Sequence, residues 1–99
     1  MEYQLKFHPA AAKDLFKLTK DNKALGKIII SNHLPKIVGD PLNAGRRKKG
    51  DLSHILGYNF NYQRVSYRIL YQIENDVVRI IALGVHDVAY KKAKKRQEQ

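Results

Sequence analysis

The hydrophobic residues of this chain follow one period in its first half and another in its second, and that switch narrows the fold more than any other feature. Tyr3, Leu5 and Phe7 alternate with polar residues, the pattern of a half-buried strand. Pro9 then suits a first helical turn, where its missing N–H costs nothing. Ala11, Leu15 and Leu18 recur at helical spacing with Ala12 and Phe16 beside them, which predicts an amphipathic helix over 9–20. Asp21-Asn22 breaks that helix and offers an N-cap to a second one, whose buried stripe is Leu25, Ile28, Ile29, Leu34 and Ile37. Pro35 is expected to kink or end it, because proline removes a backbone donor and clashes with the preceding turn. The two segments read as a helical hairpin.

Gly39-Asp40-Pro41 and the stretch from Asn43 to Gly50 read as a long polar loop, and beyond it the period becomes two. Tyr58, Phe60 and Tyr62 alternate with Asn59, Asn61 and Gln63. Ser66 to Glu74 is rich in Tyr, Ile and Leu, Asn75-Asp76 is a two-residue hairpin signal, and Val77 to Leu83 is another β-rich run. Asp87 is placed to cap a short C-terminal helix that carries Tyr90. The order β-α-α-β-β-β-α predicts an α+β fold, with an antiparallel sheet, the helical hairpin on one face and the short helix at the end. The 99 residues suffice for one compact domain, residues 1–99, and not for two.

Charge is distributed unevenly over this framework. Lys and Arg number 19 against 9 Asp and Glu, a formal net charge of +10. Residues 1–45 hold 7 basic and 4 acidic side chains, residues 46–99 hold 12 and 5, so the excess lies in the second half. It concentrates in Arg46-Arg47-Lys48-Lys49 and in Lys91, Lys92, Lys94, Lys95 and Arg96. A polyanion is the natural partner of such clusters, nucleic acid above all; the competing reading is a solvated loop and a basic tail that aid solubility. The chain has no Cys, which excludes disulfide scaffolds and thiol nucleophiles. No signal peptide is expected, since no basic stretch precedes an apolar one at the N-terminus. The longest apolar run, Ile28-Ile29-Ile30, is far short of a membrane span. The expectation is a cytoplasmic protein with no membrane partner.

Most catalytic chemistries fail on spacing. His8, His33, His54 and His86 contain no His-x-x-x-His pair, so neither a metal site nor a cofactor is expected. Gly-x-Ser-x-Gly and phosphate-binding glycine loops are absent. Metal-free chemistry on a polyanion survives. RNA cleaves itself when its 2′-oxygen is deprotonated and expels the 5′-oxygen of the next nucleotide. A protein assists with cations around the phosphate and with a base and an acid. Arg68 stands within Ser66-Tyr67-Arg68-Ile69-Leu70-Tyr71, where a charged residue calls for an anionic partner or an open sheet face. The competing reading is an edge arginine reaching out to water.

Tyr67-Arg68-Ile69-Leu70-Tyr71-Gln72-Ile73, the run Val78 to Leu83, and Gly84-Val85-His86-Asp87-Val88-Ala89-Tyr90-Lys91-Lys92-Ala93 resemble the RelE/ParE family of toxins from type II toxin–antitoxin systems. That family carries a Tyr-Arg-aliphatic-aliphatic-Tyr strand, a β-hairpin and a Gly-x-(Arg or His)-x-x-x-Tyr ending. The opening strand and the helical hairpin also fit, so the resemblance spans nearly the whole chain. In the RelE-like branch it implies a ribosome-dependent endoribonuclease that cuts mRNA in the decoding site and is restrained by a cognate antitoxin. The resemblance places Arg68 at the scissile phosphate. It gives Tyr90 a stacking or proton-transfer role, the competing reading being an aromatic that anchors the last helix. His86 falls where members have Arg or His; with a reference pKa near 6.5 it is the better acid or base at neutral pH. RNA contacts are expected from Arg46, Arg47, Lys48, Lys49, Arg64, Lys91, Lys92, Lys94 and Lys95.

One departure stands out. RelE-like members often carry Lys or Arg on the strand before the Tyr-Arg strand, where this chain has Asn59, Asn61 and Gln63, with Arg64 alone charged near its end. Two alternatives therefore stay open: a ParE-like toxin that inhibits DNA gyrase by protein contacts, and an inactive, basic RNA-binding relative.

Overall fold

A computed structural model describes residues 3–47 and 54–96, the side chains of residues 86 and 87 excepted. Lys48 and Lys49 lie outside the described residues. The elements are β1 Gln4–Phe7, α1 Pro9–Thr19, α2 Lys23–Ile28, a π-helical turn Ile29–His33, α3 Leu34–Gly39, α4 Pro41–Ala44, β2 Arg46–Arg47, β3 Leu56–Tyr62, β4 Val65–Glu74, β5 Val77–Val85 and α5 His86–Arg96.

The helical starts follow from local chemistry. His8 Nδ1 accepts from Ala10 N at 3.0 Å while Pro9 takes the first position of α1. Asn22 Oδ1 accepts from Leu25 N at 3.1 Å, the N-cap expected of it. Pro35 neither ends nor breaks the second helix. The chain widens into the π-helical turn just before it, Leu34 N reaching back to Ile29 O, and a wider turn accommodates the ring and the missing donor.

Four expectations are corrected. The sheet is mixed and five-stranded, in the order β1-β5-β4-β3-β2, and β1 runs parallel to β5, with Gln4 opposite Val77 and Phe7 opposite Ile80. The remaining pairs are antiparallel. Helices cover both faces. Ala11, Leu25, Ile29, Leu34 and Ile37 pack on Leu56, Tyr58, Phe60, Ile69, Tyr71, Val78 and Ile80. Ala89 and Ala93 of α5 pack on Ile55, Leu70, Ile81 and Ala82 on the other side. The unbroken apolar runs Ile69-Leu70-Tyr71 and Ile80 to Leu83 carry this double burial, since a strand covered on both faces loses its alternation. A bulge assists: Leu70 faces Ala82 and Tyr71 faces Ile80, so Ile81 is the extra residue and joins Ala82 on the α5 face. Lastly, the polar loop holds α4 and the two-residue edge strand β2, and α5 begins at His86, so Asp87 lies inside its first turn and not at its cap.

The loop is fastened by Tyr71. Its fully buried hydroxyl donates to Pro41 O at 2.5 Å, and burial pushes the phenol up to about 12. Gly45 passes so close that a Cβ there would lie 2.6 Å from that hydroxyl, which leaves room for glycine alone. The β3–β4 turn was illegible for a different reason: Gln63 and Arg64 take φ of 49° and 68°, the left-handed backbone usually left to Gly or Asn.

Candidate functional site

Arg68 lies mid-way along β4, opposite Asn59 of β3 and Gly84 of β5. Residue parity turns it toward the α5 face, because Ile69 belongs to the opposite core and Leu70 to the one beneath α5. Its Nε donates to Asn59 Oδ1, and its guanidinium lies 4.4 Å from the centroid of the Tyr90 ring, within range of a cation–π contact. Arg68 is 6% exposed. It is therefore sandwiched between the sheet and α5, which differs from both an open-faced strand arginine and one reaching to water. The amide of Asn59 orients the guanidinium without cancelling its charge. Asn59 thus joins the candidate site as the partner of Arg68, a place that its sequence position, marked only by the lack of a lysine or arginine, does not reveal.

The polar lane continues along the same face. Asn61 lies opposite Ser66, whose Oγ donates to Asn61 Oδ1 at 2.8 Å, and the Gln63-Arg64 turn closes it with an exposed Arg64. At the other end β2 places Arg46 opposite Gly57, on the face shared with Asn59 and Arg68. Gly57 and Asn59 are two positions apart on one strand, roughly 7 Å. The start of the basic cluster is thus held by strand pairing, which restores a cationic group near the position where β3 itself has none. Arg47, opposite Leu56, falls on the other face and is exposed.

On α5, Lys91, Lys94 and Lys95 are exposed and Tyr90 turns inward to the sheet. Lys92 is drawn into the protein: its Nζ lies 3.0 Å from Asp14 Oδ1. Asp14 was not singled out in the sequence, although it shares the inward stripe of α1 with Ala11 and Leu18, a position where a carboxylate demands partners. Burial on its own would raise its pKa, but hydrogen bonds from Arg96, Lys92 and Leu83 N hold it below the usual carboxylate value. His86 is the first residue of α5, one helical turn before Tyr90; its side chain lies outside the described residues.

His33 and His8 serve the fold. His33 stacks on Phe60 at 4.0 Å between ring centroids, Phe60 stacks on Tyr67 at 5.3 Å, and His33 Nδ1 meets the Tyr58 hydroxyl at 2.7 Å. These rings lie on the face away from Arg68. Burial, helped by Lys36, lowers the His33 pKa, and burial with Arg79 and Arg96 lowers that of His8. Among the described residues, no three His, Asp or Glu side chains gather as a metal site, and no helix is long and apolar enough to cross a membrane.

A family model described as the ParE-like toxin of type II bacterial toxin–antitoxin systems matches residues 5–94. Comparison with curated proteins gives no match. Among solved structures, the fold is similar to the toxin–antitoxin complex RelBE2 from Mycobacterium tuberculosis, with a TM-score of 0.72 at 20% identity over 87% of this chain and 100% of that one. A mutant of E. coli toxin RelE in the free state gives 0.67 at 25% identity, covering 97% and 98% of the two chains. The YoeB dimer from Staphylococcus aureus gives 0.64 at 21% identity over 87% and 99%.

Proposed function

Given that the chain belongs to the ParE-like toxins of type II bacterial toxin–antitoxin systems, we propose that it is a ribosome-dependent endoribonuclease that cleaves mRNA without a metal and so stops translation. The observation that carries this reading is the meeting of Arg68 and Tyr90, 22 residues apart in sequence, with the guanidinium aligned by Asn59. In the proposed reaction the ribose 2′-oxygen loses its proton and bonds to phosphorus. The bond to the 5′-oxygen of the next nucleotide breaks, and that oxygen takes up a proton, leaving a 2′,3′-cyclic phosphate and a 5′-hydroxyl. Arg68 stabilises the charge that builds on the phosphoryl oxygens. His86 supplies the proton transfer, since an imidazole titrates nearest to neutrality. Tyr90, resting on Arg68, yields its place to the phosphate and stacks on a base or assists the proton transfer. Arg46, Arg47, Lys48, Lys49, Arg64, Lys91, Lys94 and Lys95 hold the RNA and ribosomal phosphates, with Lys92 contributing from the end of its ion pair. The partner restraining this basic surface is a cognate antitoxin with an acidic or helical segment, and the setting is the cytoplasm.

A second reading, inhibition of DNA gyrase through protein contacts, draws support from the ParE-like description of the matching family and from the low exposure of Arg68. Expression followed by parallel assays of protein synthesis and plasmid supercoiling separates the two. The first reading expects translation to stop and transcripts to be cut on the ribosome, and Arg68→Ala to lower the cleavage rate by about 10²–10³-fold. Loss of supercoiling with intact transcripts, or toxicity that survives Arg68→Ala, rejects it.

A further inference from the structure

β1 covers the outer edge of β5 only as far as Phe7 opposite Ile80, and His8 N adds a last bond to Ile80 O at 2.8 Å. Beyond that point the Ile81 carbonyl and the Leu83 amide face outward past the end of β1. An unsatisfied backbone pair there would be costly. An ion pair takes the place of the missing strand. Asp14 Oδ2 accepts from Leu83 N at 3.2 Å and Arg96 Nη1 donates to Ile81 O at 2.9 Å. The two side chains grip each other, Nη1 to Oδ2 at 2.6 Å and Nη2 to Oδ1 at 3.2 Å, with Lys92 Nζ completing the group. Asp14 is 6% exposed.

Fully buried apolar packing is only a small part of what holds the lysine-rich helix α5. It has 11 residues, a length at which an isolated helix is marginal, and its fully buried apolar contacts are two alanines. Lys92 and Arg96 lie two and six residues beyond Tyr90, so whatever anchors them also sets where the Tyr90 ring sits. We infer that Asp14 is a positioning residue for the site: it holds α5 against the uncovered edge of β5 and thereby keeps Tyr90 over Arg68. The structural part stands on the contacts themselves; its catalytic consequence rests on the endoribonuclease reading above.

The test compares wild type, Asp14→Asn, Arg96→Gln and Arg96→Lys in the full chain, by amide exchange, by NMR of the Arg68 side chain, and by single-turnover cleavage on ribosomes. In Asp14→Asn and Arg96→Gln, amides of Ala89 to Ala93 should exchange about tenfold or more faster, and the Arg68 Hε signal should lose its ring-current shift from Tyr90. Amides of Ile69 to Tyr71 should keep their protection. The cleavage rate should fall with little change in the substrate concentration that half-saturates it, and Arg96→Lys should recover part of the rate. Should Asp14→Asn fail to fold, Arg96→Gln at the end of the helix carries the comparison. Unchanged α5 exchange and Arg68 signals would overturn the inference, as would loss of protection in β4 in step with α5. A loosened α5 in a protein whose wild type cleaves nothing would support the positioning role and reject the endoribonuclease reading.

Discussion

The two faces of the sheet are covered by different physics. On the face of α1, α2 and α3, branched aliphatic and aromatic side chains interlock: Ile29, Ile37, Ile69, Tyr71 and Ile80 are fully buried there. On the face of α5 the helix contributes Ala89 and Ala93, and the specific contacts are polar. Both buried charged side chains of the described residues, Asp14 and Arg68, make contact with α5. Apolar burial scales with area and supplies most of the stability, whereas buried charges contribute little net energy yet cost much when one partner is removed. The first face holds the fold; the second sets the geometry of one site.

The largest effect should come from the apolar face. Ile80→Ala leaves a cavity under α1 and should cost about 2–5 kcal/mol, read as a lower denaturant midpoint in equilibrium unfolding. On the other face, Ala93→Leu forces extra volume between α5 and the sheet and should cost about 1–3 kcal/mol. Its near-ultraviolet and exchange signatures should be confined to α5, with the core of β3, β4 and β5 retaining its protection. If Ala93→Leu destabilises the whole domain as much as Ile80→Ala, the contrast between the faces fails.

Acid should separate the faces with the smallest effect. His33 and His8 have pKa values below the ordinary imidazole value, so the unfolded chain takes up their protons first. Stability should therefore fall as pH drops through about 6.5 and level off below their folded values. Protonation would also remove the acceptor by which His8 caps α1. Asp14 has the opposite sign. Its folded pKa lies below 3.8, so its contribution is full above that value and lost as pH falls through the folded one. Unfolding midpoints between pH 7.5 and 3 should show the histidine loss well before α5 loosens; a single transition in which α5 exchange rises already near pH 6 would contradict the ordering.

Elements with a strong local cause were legible in the chain itself. Tyr3, Leu5 and Phe7 alternate and form β1; Ala11, Leu15 and Leu18 repeat at helical spacing and form α1; Asn22 caps α2, and Asn75-Asp76 turns the β4–β5 hairpin. Short-range sterics and hydrogen bonding decide such features within a few residues, so the chain alone fixed the α+β class and the order of its larger elements, while the short α4 and β2 escaped it. Tertiary structure alone decided where those elements met. The parallel placement of β1 beside β5 brings together residues more than 70 positions apart, and no local pattern encodes a partner so distant. Asn59 reads as a neutral strand residue until pairing sets it opposite Arg68. Asp14 lies on the stripe of Ala11 and Leu18, but the partners that make a carboxylate tenable there appear only when α5 folds across the sheet and brings Leu83 N, Lys92 and Arg96 around it. Charge within a sequence has sign but no neighbours; burial and packing supply the neighbours, and with them the chemistry.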